Sequence, residues 1–170
     1  MMTATIPTEL DAFVERFGSV VEHSPWVAEQ VFADGPFGDA AALHAAFEAR
    51  LLAAPRDAQL AVLNAHPELA AERVIPRDAL TAESRSEQAG AGLDQLADER
   101  RTALAATLAT YRERFGFPFI ACVRDHGSVA ALEGLTAERV GRDPDTEFVT
   151  ALAEVSAIAR HRITDLVEAA

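Results

Sequence analysis

Leu104-Ala105-Ala106-Thr107-Leu108-Ala109-Thr110-Tyr111-Arg112-Glu113-Arg114-Phe115-Gly116 sets Leu104, Leu108, Tyr111 and Phe115 at i, i+4, i+7 and i+11, which is one apolar face of a helix. Gly116 suits the position after the last turn, where the backbone commonly turns left-handed. The pattern predicts the longest helix of the chain, from near Asp94 to Phe115. Pro118 then forbids its continuation, and the uniformly apolar run from Phe117 to Val123 reads as a buried extended segment.

The same periodicity recurs on both sides. After Pro7, Leu10, Phe13, Val14 and Phe17 lie at helical spacing, with Gly18 as a natural stop. Ser24-Pro25 reads as an N-cap and first-turn proline for a segment carrying Trp26, Val27, Val31 and Phe32, closed by the turn Asp34-Gly35-Pro36. From about Asp39 to Ala53, Leu43, Ala46, Phe47 and Leu51 form a third face, ended by Pro55. A shorter helix from about Arg56 to Ala65 must stop near His66, because Pro67 disfavours helical geometry in the residue before it. Thr81 suits the N-cap of a helix bearing Ser84, Glu87 and Gln88, which Gly90 and Gly92 interrupt. Two further helices are expected around Ser128 to Val140 and from about Asp145 to Val167. The expectation is an all-α, compact single-domain bundle of about seven or eight helices, with one domain over residues 1–170.

Composition agrees with helices and narrows the partners. Hydrophobic residues make up 49% of the 170, with alanine and leucine dominant, and this length suits one core. The formal charge is -12 and no lysine occurs, so the clustered basic surface that nucleic acid or anionic lipid requires is missing. The single cysteine, Cys122, rules out an intrachain disulfide, and its neighbours Ile120, Ala121 and Val123 suggest a buried thiol. No charged-then-apolar leader opens the sequence, no apolar run approaches the roughly 20 residues that span a bilayer, and no peroxisomal Ser-Lys-Leu closes it. A soluble, cytoplasmic protein is expected.

Four features could carry chemistry, and each also has a plain structural reading. His66 stands at a helix C-terminus, where the helix dipole favours a protonated ring near or above the usual value of about 6.5; it could equally be a structural helix-end residue. Ser84, Glu87 and Gln88 share one helix face, which is either solvated or, given the small residues Ala89-Gly90-Ala91-Gly92, crowded by another segment or a ligand. The proline-constrained backbone in Phe115-Gly116-Phe117-Pro118-Phe119-Ile120 could offer amides between apolar walls, or simply pack the core. Arg160-His161-Arg162 could supply a cation for an anionic substrate or lie on the surface. The five histidines lack the His-Glu-x-x-His spacing of a helical zinc site, no glycine-rich phosphate loop occurs, and without lysine no Schiff base can form.

Taken in order, Ser24-Pro25-Trp26-Val27-Ala28-Glu29, Ala65-His66-Pro67-Glu68-Leu69-Ala70, Leu80-Thr81 with Ser84 and Glu87-Gln88, Ala91-Gly92-Leu93, Tyr111 with Arg114-Phe115-Gly116-Phe117-Pro118-Phe119-Ile120, and Ile158-Ala159 with Arg162-Ile163 resemble the OHCU decarboxylase family over nearly the whole chain. The family's substrate is 2-oxo-4-hydroxy-4-carboxy-5-ureidoimidazoline. The resemblance implies decarboxylation to (S)-allantoin in urate degradation, with no cofactor and no metal, in a homodimer. It places the catalytic histidine on His66 and its carboxylate partner on Glu87. Pro67, Ser84, Gln88, the backbone of Phe119, Ile120, Ala121, Cys122 and Val123, and Arg162 would surround the substrate, with Arg162 preferred to Arg160 on the arginine-then-aliphatic pattern. Two positions depart from the family: Leu108 stands where an asparagine is expected, and Ile163 replaces a leucine. The Leu108 departure motivates the alternative of an inactive helical binding or regulatory module on the same scaffold.

Overall fold

A computed structural model of the chain describes residues 5–69, 82–83 and 97–169. Among the described residues there are eight α-helices and no strand, as an all-α chain requires. They fall into two units, Met1–Ala65 with Val155–Ala170, and His66–Glu154.

The first unit contains α1 (Leu10–Phe17), α2 (Trp26–Phe32), α3 (Ala40–Ala53) and α4 (Arg56–Ala65). Helix α2 packs against both α1 and α3. The apolar stripes meet there: Phe13, Phe17, Val27, Val31, Leu43, Phe47 and Leu51 are all buried, and the Phe13 ring lies 5.0 Å from Phe17 and 5.5 Å from Phe32. Asp39 caps α3 by accepting a bond from the Ala42 amide at 2.8 Å. At its other end, the Gln59 side chain of α4 donates to the Leu51 and Leu52 carbonyls, both at 3.1 Å, and so satisfies orphaned acceptors.

Two expected caps work differently. Ser24 does not cap α2 with its side chain; its hydroxyl donates to the Glu22 carbonyl, while Pro25 already has helical dihedrals. Gly18 ends α1 at a negative φ of -63°, so no left-handed turn is involved. A Cβ there would come within 2.5 Å of the Val14 carbonyl oxygen, and close approach is what the glycine permits.

The second unit contains α5 (Asp98–Phe115), α6 (Val123–His126) and α7 (Val129–Arg139). Helix α8 (Pro144–Glu168) begins in this unit and ends in the first; at 25 residues it is the longest described, against 18 for α5. Helix α5 starts at Asp98 instead of near Asp94 because Ala97 is extended, with ψ 147°. It stops where expected, at Gly116, whose φ is +79° and whose amide donates to the Arg112 carbonyl at 2.8 Å. Phe117 to Cys122 is buried and non-helical as the sequence suggests, but Val123 opens a single helical turn that Gly127, at φ +77°, ends. Ser128 caps α7 by accepting from the Ala131 amide.

At the centre of this unit stands a fully buried arginine. Arg139 donates from Nε to Glu147 Oε1 at 2.7 Å and from Nη1 to the Ile120 carbonyl at 2.7 Å, and its guanidinium lies 4.4 Å from the centroid of the Phe119 ring. The Tyr111 hydroxyl donates to the same Glu147 oxygen at 2.5 Å. Burial, with the Glu147 carboxylate adding to it, pushes the Tyr111 phenol well above its ordinary value, so it remains a neutral donor. Breaking a buried ion pair strands its partner's charge, so Glu147→Ala is expected to cost about 3–5 kcal/mol in urea denaturation. Glu138→Ala, which removes the exposed partner of Arg142, should stay within about 0.5 kcal/mol of wild type.

Candidate active site

The proline that ends α4 also fixes His66. Pro67 excludes helical geometry from the residue before it, so the helix stops at Ala65 and His66 occupies the first position beyond. The histidine is buried, 7% exposed, and is followed by half-buried Pro67 and by buried Glu68 and Leu69. A histidine so placed combines a titratable ring with an environment that keeps bulk water away.

Beside them Glu68, which the sequence carries only as part of the histidine–proline motif, has a definite partner. Its carboxylate pairs with Arg112 Nη1 at 3.2 Å. Burial raises its pKa above the ordinary value of 4.5, while Arg112 and the Phe119 amide pull the other way. Through the Arg112 pair Glu68 joins the histidine–proline element to α5. A carboxylate between a helix-stopping proline and an apolar Leu69 was the signal available in the sequence.

The segment from Phe117 to Val123 is buried throughout. Its polar groups are partly engaged by the protein itself. The Ile120 carbonyl accepts from Arg139, and the Cys122 amide donates to Glu154 Oε2 at 2.7 Å. A buried amide outside regular structure needs a partner, and for Cys122 that partner is Glu154. The other oxygen of Glu154 lies 3.1 Å from His126 Nε2. Burial, assisted by Asp125 and Glu154, pushes the Cys122 thiol up to about 11, so it is neutral at ordinary pH.

In the first unit, Arg162 and Arg160 differ sharply. Arg162 is 4% exposed and donates from Nη1 to the Val20 carbonyl at 3.2 Å and from Nη2 to Glu22 Oε1 at 2.9 Å, Glu22 being fully buried. Arg160 is exposed. Glu22, which fixes the Arg162 guanidinium, had no periodic signal that would distinguish it from a solvated residue. Leu108 is buried in the apolar stripe of α5 and brings no polar group there. The expected positions Ser84, Glu87 and Gln88, with the Thr81 cap and the Gly90 and Gly92 break, lie outside the described residues. Within either unit taken alone, the described residues bring no three metal-ligating side chains together.

A helical protein with a buried histidine at a helix end, flanked by a paired carboxylate and an aromatic-walled backbone segment, has the parts of an acid–base site. Comparison with known proteins specifies the group. The family model for OHCU decarboxylase matches residues 8–164. The chain is 41% identical over 155 residues to 2-oxo-4-hydroxy-4-carboxy-5-ureidoimidazoline decarboxylase of Haloferax volcanii, covering 91% of this chain and 89% of that protein. It is likewise 41% identical over 157 residues to the mouse (Mus musculus) protein of the same name, covering 92% and 87%. A crystal structure of (S)-allantoin synthase superposes with a TM-score of 0.74 at 26% identity, over 95% of this chain and half of that one. The chain belongs to the OHCU decarboxylase family.

The raised pKa of Glu68 has a defined pH signature. The fold favours its protonated form, so its contribution is present below the unfolded value near 4.5 and is lost as pH rises through the higher folded value. Glu68→Gln keeps a neutral side chain, so the variant should gain stability relative to wild type between pH 4 and pH 7. Paired urea titrations at the two pH values measure this; a relative gain by wild type would show that the Arg112 pairing outweighs burial.

Proposed function

We propose that this protein catalyses decarboxylation of 2-oxo-4-hydroxy-4-carboxy-5-ureidoimidazoline to (S)-allantoin and carbon dioxide, a step of urate degradation. The observation that carries the reading is the buried His66-Pro67-Glu68 element at the end of α4, inside a family match that runs through both units. That continuous match also supports reading the chain as one functional domain.

The chemistry needs little beyond positioning and a proton. The bond between the ring carbon and the carboxylate breaks, carbon dioxide leaves, and the electron pair enters the adjacent ring C=N system. The ring nitrogen that receives the pair takes up a proton, the ring hydroxyl becomes a carbonyl as its proton is lost, and a further proton arrives at the ureido-bearing carbon. Delivery to one face of that carbon sets the hand of allantoin. In this proposal His66 handles the proton and Glu87 orients the histidine. Arg162, held by Glu22 and the Val20 carbonyl, supplies the cation for the substrate's anionic group. Pro67, Ser84, Gln88 and the Phe119 to Val123 segment form the surrounding wall, with the engaged Cys122 amide contributing shape instead of a direct bond. The ring's own conjugation accepts the electron pair, so the proposal invokes no cofactor.

Two finer expectations go with this reading, a homodimer from the family resemblance and a cytoplasmic location from the sequence. No helix among the described residues is long and apolar enough to cross a membrane. Sedimentation or light scattering of the purified chain tests the dimer.

The activity is tested by supplying urate oxidase and hydroxyisourate hydrolase with urate, adding this protein, and following allantoin by circular dichroism. Rapid appearance of one enantiomer is expected. His66→Ala and Glu87→Ala should each lower the rate by about 10²–10⁴-fold while far-ultraviolet dichroism stays helical. Slow racemic product from the wild-type chain would instead favour an inactive module, the reading for which Leu108 is the motive.

A further inference from the structure

We propose that Glu154 and Arg139 are positioning residues that clamp the Phe119 to Val123 backbone and hold it in its substrate-contacting shape, an inference that rests on the decarboxylase reading above. In an extended chain, the carbonyl of one residue and the amide two residues later face the same edge. Ile120 and Cys122 stand in this relation, and the Cys122 backbone is extended, with φ -74° and ψ 95°. Arg139 Nη1 donates to the Ile120 carbonyl at 2.7 Å, and Glu154 Oε2 accepts from the Cys122 amide at 2.7 Å. The two side chains are joined in turn, Arg139 Nη1 lying 4.0 Å from Glu154 Oε1. Cation, carbonyl, amide and carboxylate thus form a closed ring.

The ring answers a specific need. The segment belongs to no helix or strand up to Cys122, yet it is buried, so its polar groups have no regular ladder to join. Charge-assisted bonds from two ionised side chains are stronger than the neutral ones a ladder would supply. Arg139 is itself held by Glu147 and lies over the Phe119 ring, so it cannot shift without disturbing the core. Glu154 also reaches His126 on α6, which anchors the turn that follows the segment. A ligand contacting this segment must do so through its other peptide groups.

The test compares Glu154→Gln, which keeps an acceptor for the Cys122 amide, with Glu154→Leu, which removes it. With the wild-type chain shown to be active, Glu154→Leu is expected to lose roughly ten-fold or more in kcat/KM, chiefly through KM, while Glu154→Gln recovers most of the loss. Labelling of the buried Cys122 thiol by a maleimide should accelerate in the leucine variant and not in the glutamine variant. Wild-type kcat/KM in Glu154→Leu overturns the proposal, as does equal impairment of the two variants. Amide hydrogen exchange of the unmodified protein provides a readout that needs no substitution. The Cys122 amide should be protected without ligand and unchanged by saturating allantoin; protection acquired only with allantoin overturns the clamp. An inert wild-type chain overturns the decarboxylase reading and is distinguished from failure of the clamp, which the Cys122 amide reports by itself.

Discussion

A guanidinium shut away from water must find its partners inside the protein, and the second unit is organised around how Arg139 does so. Desolvating such a cation costs several kcal/mol unless every direction is answered. Glu147 neutralises it, the Ile120 carbonyl takes another of its protons, and the Phe119 ring covers its face. The partners come from three pieces of chain: Glu147 from α8, Ile120 and Phe119 from the irregular segment, Tyr111 from α5 through the shared carboxylate. Little of this arrangement can change independently, because moving one member leaves a buried charge or phenol unpaired.

The irregular backbone beside it follows from the sequence's own interruptions. Gly116 ends α5 in a left-handed turn and Pro118 keeps Phe117 out of helical geometry, so a stretch of chain crosses the core without a ladder. That stretch keeps peptide groups that a helix or strand would have consumed. It is also expensive to bury, and Arg139 and Glu154 supply the bonds that regular structure would have made. His66 arises by a related device. Pro67 stops α4 and leaves the histidine buried at a helix end, where Glu68 ties the element to Arg112.

Much of the helical framework was legible because helix-forming stretches announce themselves locally. The stripes Phe13-Phe17, Leu43-Phe47-Leu51 and Leu104-Leu108-Tyr111 are the faces that are buried, while Leu10 at the start of α1 is exposed, and the stops at Ala65 and Gly116 fall where Pro67 and the glycine put them. The discrepancies are at places where the chain's surroundings decide. Ser24 could cap a helix, but the cap position of α2 falls to Pro25, and the Ser24 hydroxyl instead donates to the Glu22 carbonyl. The start of α5 shifted to Asp98 because no side chain caps it and the backbone at Ala97 stays extended. The single turn of α6 was missed because four residues are too few to show a period.

By itself the sequence determined the helical class, the helix ends set by proline and glycine, the burial of Cys122 and, through the order of its motifs, the family. Those properties depend on neighbours within a few residues or on residue identity alone. Only the tertiary structure decided which acidic side chains are held inside: Glu22 beneath Arg162, Glu68 beside Arg112, Glu147 against Arg139, and Glu154 on the Cys122 amide. An acidic chain of net charge -12 presents many carboxylates that look alike in sequence. What distinguishes these four is the donor each one meets, and Glu22 and Arg162, separated by 140 residues, show that no local pattern could announce it.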